Sequence, residues 1–153
     1  MTRKPSYLGL LNAIANGEAE AGVYLNAWAA VTDDPEVRHA LLTVSAREHE
    51  HGAAFAKRIN ELGFEVQPRP DPKAAQRLRL ARSATTSDLD KLEKLGFGRD
   101  PSGPDIFDRM VNDHSIDIAT GALLGRYNAE ERDTGRLLHA LVKKLRRREQ
   151  VAA

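Results

Sequence analysis

The chain has 153 residues, enough for one domain around a single sizeable core. It is 41% hydrophobic, 29% charged and 5% aromatic, the make-up of an Ala- and Leu-rich helical protein. A net charge of +1 supplies no field for nucleic acid or an anionic membrane, and the lack of cysteine excludes disulfides, thiolate metal sites and a thiol nucleophile.

The opening stretch, MTRKPSYLGLLNAIANGEAEAG, carries basic residues and a short apolar run in the manner of a secretory signal. Asn12 interrupts that run, and the helical pattern continues past the point where cleavage would fall. No run approaches the ~20 apolar residues of a membrane span. A cytoplasmic, single-domain chain over 1–153 is expected, with no membrane and no nucleic-acid partner.

The first helix is expected from about Tyr7 to Val31, where Leu11, Ala15, Gly22, Leu25 and Ala29 recur at helical spacing. Glu18 falls on that apolar line, whereas Glu20 lies on a neighbouring one. TDDPE then breaks the helix and starts the next. Asp34 is placed to cap, Pro35 suits the first turn, and Glu36 complements the positive end of the helix dipole. The second helix runs to about Leu62, with Gly63 as its C-terminal cap. The turn is short, so the two helices form an antiparallel hairpin.

Helix 2 holds the least ordinary stretch, Glu48-His49-Glu50-His51. Its inward line is Val37, Leu41, Val44, Glu48, His51, Phe55 and Leu62, so one acid and one histidine of the four face the core. Counted from the turn, Glu18 and Glu48 sit at similar depths. Two carboxylates brought together in a core cost several kcal/mol, roughly, unless something neutralises them. A neighbouring histidine relieves part of this, and a divalent metal relieves nearly all. Carboxylate oxygen with imidazole nitrogen suits iron, manganese or zinc. The other reading is a metal-free polar network that fixes helix register.

After FEVQPRPDPK, an extended crossover, two short helices are expected over about Lys73–Arg82 and Ser87–Leu95. GFGRDPSGPD is a loop. A third long helix is expected from Asp105 to about Glu131, with His114 on its inner stripe and Asp117 at the edge of it. DTG, with Asp133 as cap, then starts a fourth that runs to about Glu149. The terminal KKLRRREQ is a solvated helix end whose cations complement the dipole. The pattern throughout is all-α, an antiparallel four-helix bundle of two hairpins with short extra helices in the crossover.

AIANGEAEAGVY and AREHEHGAAFAKRI together resemble the first two helices of the ferritin-like superfamily, in its rubrerythrin branch. The resemblance covers roughly residues 8–62. It implies that Glu18, Glu48 and His51 hold a metal, iron or manganese with zinc as a further option, in redox chemistry with oxygen or peroxide. In that family a second hairpin repeats the pattern. Here the third-helix glutamate is not found, His114 and Asp117 stand near its place, and the fourth helix has no Glu-x-x-His. The expected metal set is thus Glu18, Glu48, His51, His114 and Asp117. It would hold one ion, an asymmetric pair, or an ion shared across a homodimer. No catalytic residue is assigned. The competing expectation is a metal-free bundle acting as a structural or protein-interaction module.

Overall fold

The computed structural model describes residues 3–99 and 113–152. Among the described residues the protein is all helical, with five helices and no strand. These are α1 (Leu8–Ala29), α2 (Pro35–Glu61), α3 (Ala74–Arg82), α4 (Asp88–Lys94) and α5 (Ile118–Ala152).

The first four follow the sequence closely, and the ends of α2 and α4 carry strong signals. The Asp34 carboxylate accepts from the backbone N–H groups of Glu36 and Val37, and Pro35 takes the first turn. Gly63 at φ +85 closes α2, with N–H bonds from Gly63 to Asn60 O and from Phe64 to Ile59 O. Gly96, also at φ +85, ends α4 in the same way and turns Phe97 back over the bundle. The crossover lies along α1 because Asn12 and Asn16, one turn apart, bond the backbone of Gln67 and Arg69.

The second half differs from expectation. Asp105 to residue 112 lie outside the described residues. Residues 113–117 form a turn, and one 35-residue helix, α5, runs unbroken through Asp133-Thr134-Gly135. The two long helices expected from 105 and from 133 are, over the described residues, a single helix. Asp133 does not cap, because its carboxylate is engaged by Arg47 at 2.7 Å and Arg136 at 3.6 Å. Thr134 is buried and accepts from Arg47.

Helix α1 packs on α2 and α3, α2 on α5, and α4 on α5. Pairing is antiparallel for α1 and α2: Arg38 reaches Ala29 O, and Ser45 reaches Gly22 O at 2.9 Å. Further along, the Gly52 backbone lies so close to α1 that a Cβ there would stand 3.0 Å from Ala19 N. Helix α5 is antiparallel to α2 by the same test, from Arg58 with Asp117 at one end to Arg148 with Asp34 at the other.

The apolar core is split in two. One cluster centres on Leu25, Trp28, Leu41, Leu92, Leu138 and Val142. The other centres on Leu11, Ile14, Phe55, Ile59 and Leu124. Between them each long helix contributes polar residues: Glu18 from α1, Ser45, Glu48 and His51 from α2, and Glu131 and Thr134 from α5. No helix among the described residues is long and apolar enough to cross a membrane.

Candidate metal centre

The polar layer has a definite order. Glu18, Glu48 and His51 are 9%, 4% and 3% exposed, so the two helices of the hairpin place three ionisable side chains where the core would otherwise be apolar. Helix α5 adds Glu131. One donor atom from each of Glu18, Glu48, His51 and Glu131 lies within 4.8 Å of every other. Donors on opposite sides of an ion bound at about 2.1 Å stand about 4 Å apart, so this set is close to closed around one cation.

The hydrogen-bond inventory tests that fit. Glu18 Oε2, His51 Nδ1 and Glu131 Oε1 are buried and have no hydrogen-bond partner among the described residues. His51 Nδ1 is 3.8 Å from Glu18 Oε2 and 3.6 Å from Glu131 Oε1, too far for a bond but facing both. Unsatisfied buried polar atoms are rare in folded proteins, and three that converge on one point call for a common partner.

The other polar atoms of His51 and Glu18 are held. His51 Nε2 meets Glu130 Oε2 at 2.5 Å, which puts the ring proton on Nε2 and leaves the Nδ1 lone pair facing the cluster. Glu130 is itself fixed by Arg126 Nε at 3.1 Å, and Arg126 also binds Glu50 at 2.6 Å. The Tyr127 hydroxyl donates to Glu18 Oε1 at 2.7 Å, leaving Oε2 free. The Tyr127 ring packs edge-on against His51 and Phe55.

Two groups of this layer, Glu131 and His51, are shifted towards their protonated forms. Burial pushes the Glu131 carboxyl up to about 7, and the Glu18 charge adds to the effect. Burial works against a charged His51, yet the carboxylates of Glu18, Glu130 and Glu131 outweigh it and raise the imidazole above 6.5. For Glu130, burial is outweighed by bonds from His51 and Arg126, and its carboxyl is held low. Burial, reinforced by Glu18 and Glu131, drives the Tyr127 phenol far upward, so it stays a neutral donor.

The expected set divides. Glu18, Glu48 and His51 are brought together, whereas His114 and Asp117 are not with them. His114 is exposed in the turn before α5, off any helix stripe. Asp117 caps α5 through Thr120 N and binds Tyr7 and Arg58. Two carboxylates went unnoticed in the sequence, Glu131 facing the cluster and Glu130 behind His51. The signal was present: Leu124, Tyr127, Glu131, Thr134 and Leu138 are one stripe if the helix is not ended at Glu131.

A cavity of about 340 Å3 opens against the cluster, with Glu18, Glu48 and Glu131 in its wall. Comparison with family models, curated proteins and solved structures returns no match.

Proposed function

We propose that Glu18, Glu48, His51 and Glu131 hold one divalent metal, iron or manganese in preference to zinc, in a ferritin-like protein that works on oxygen or peroxide. The observation that carries this is the convergence of three buried donor atoms that have no partner among the described residues, Glu18 Oε2, His51 Nδ1 and Glu131 Oε1. Three carboxylates and one imidazole form a hard, oxygen-rich set, which favours iron and manganese over metals that select sulfur. The ferritin-like plan is supported by the contacts. Helices α1, α2 and α5 would occupy three corners of a four-helix bundle, with α3 against α1 and α4 against α5 sharing the fourth.

A bound redox metal would supply the electron exchange with the oxidant. The chain's own residues prepare the place for it. Glu130 orients His51 and raises its basicity as a donor, and Tyr127 fixes which Glu18 oxygen faces inward. Apolar clusters on both sides keep bulk water from the layer, while the adjoining cavity leaves one approach open.

One observation favours a second reading, a metal-free bundle built for association. The cluster can neutralise itself by protonation, since His51 and Glu131 both titrate upward. Elemental analysis of protein purified without chelator separates the two. About one iron or manganese per chain is expected, falling to background in Glu48→Ala. At a metal concentration a hundredfold above Kd, the wild type gains about 2.7 kcal/mol and the variant does not. About half an ion per chain would indicate a site shared by two copies. No metal after reconstitution with iron(II), manganese(II) and zinc(II), with Glu48→Ala as stable as wild type, overturns the metal reading.

A further inference from the structure

The cavity beside the cluster is larger than an oxidant needs. A water molecule occupies about 30 Å3 and a cavity of about 150 Å3 holds benzene, whereas this one measures about 340 Å3. Its lining is also layered. The floor is the acid cluster, Glu18, Glu48 and Glu131. The belt is mainly apolar, built from Ala21 and Leu25 of α1, Leu138 of α5, and Phe97 from the turn that Gly96 makes after α4, with Tyr24 and Thr134 beside them. The rim carries Arg99, which is exposed and, among the described residues, is the one cation of the lining and pairs with no carboxylate.

A peroxide or oxygen route requires neither an apolar belt nor a cation at its mouth. Both features match a compact molecule with a flat apolar body and one anionic end. The anion cannot point to the floor of carboxylates, so it belongs at Arg99, where a planar guanidinium suits a carboxylate. The body then lies between Phe97, Leu25 and Leu138, and its far edge faces the cluster. We propose that this cavity binds a small monocyclic aromatic acid, carboxylate at Arg99 and ring in the apolar belt, as the organic substrate presented to the metal centre. The inference rests on the metal reading for the role of the ligand, but not for its binding.

The probe is 4-fluorobenzoate, followed by 19F NMR with metal-free, zinc-loaded and manganese(II)-loaded protein after removal of free ion. The wild type should bind it in the metal-free and zinc forms, several-fold more tightly with zinc because the floor is then neutralised. In the manganese form the para fluorine should broaden strongly, since it is the end nearest the cluster. Arg99→Ala should weaken binding about tenfold, in line with the loss of one charge-assisted contact. Ala21→Phe, which fills the belt, should abolish binding while metal content stays at the wild-type level. Phe97→Ala, a second variant on another element, guards against misfolding of the first.

No binding in any form, or binding unchanged in Ala21→Phe and Phe97→Ala, overturns the proposal and leaves the metal reading intact. Failure to load zinc or manganese overturns the metal reading instead. In that case, 4-fluorobenzoate binding by the metal-free protein, lost in Ala21→Phe, would still establish the pocket, and its absence would refute it.

Discussion

Asp117 accepts four hydrogen bonds: from Tyr7 Oη and Thr120 Oγ1 on one oxygen, and from Thr120 N and Arg58 Nη2 on the other. The Thr120 bonds, with Tyr7 and Arg58, hold its carboxyl far below the usual range. A carboxylate committed in this way ties the start of α5 to α1 and α2 and has little left to offer a cation. Asp117→Ala should cost about 2 kcal/mol, from the lost cap and the partners left behind, with metal per chain unchanged. His114→Ala should change neither stability nor metal content, since the residue is exposed. A loss of metal in either variant would return them to the ligand set. Glu130 has the opposite profile. Its carboxylate bonds His51 and Arg126, and Glu130→Gln should weaken metal affinity 10- to 100-fold, roughly, at the same stoichiometry. Titration with a competing chelator reads this out, and an unaltered affinity would remove Glu130 from the support of His51.

At the scale of elements, the hairpin of α1 and α2 was legible because its apolar residues and its caps agree, and because Glu18, Glu48 and His51 fall on core positions. Helix α5 was not. Asp133-Thr134-Gly135 has the letters of a helix start, and a glycine in a helix interior costs about 1 kcal/mol relative to alanine. That local penalty is outweighed by apolar burial on both sides, Leu124 before it and Leu138, Leu141 and Val142 after it. Ending the helix at Glu131 breaks its phase and hides the fourth member of the cluster. A similar contest between propensity and packing is measurable at two other glycines. Gly17 has open space around it, so Gly17→Ala should stabilise by about 1 kcal/mol. Gly52 lies against the α1 backbone, where a Cβ would meet Ala19 N at 3.0 Å and Ala15 O at 3.4 Å. Gly52→Ala should therefore destabilise by about 1–2 kcal/mol despite the better helix former. Urea unfolding of the two variants gives opposite signs if α1 and α2 are as close as described, and equal gains if they are not.

For the molecule as a whole, the polar layer that splits the core makes stability a function of pH, and on the metal reading a function of metal as well. Glu131 has a folded value of about 7 against 4.5 ordinarily, raised by burial and then by Glu18. His51 is raised above 6.5 because its carboxylate neighbours outweigh burial. In both cases the native state holds its proton more tightly than the unfolded chain does. The contribution of Glu131 is fully present below 4.5 and is lost as pH rises to about 7. That of His51 is present below 6.5 and is lost as pH rises through its folded value. The depressed carboxyls, Asp34, Asp117 and Glu130 among them, act in the other direction, but their stability is lost only as pH falls below about 4. Between pH 5 and 8 the polar layer decides, and the Tm of the metal-free protein should fall across that range. On the metal reading an ion would displace the same protons, so its affinity would rise with pH and the loaded protein should lose little of its Tm, or gain, over the same interval. Glu131→Gln removes one of the two titrating groups while keeping its volume. It should flatten the metal-free curve and raise Tm at pH 8, at the expense of metal affinity. A metal-free Tm that climbs from pH 5 to 8, or a Glu131→Gln curve as steep as the wild type, would show that these acids do not share one buried layer.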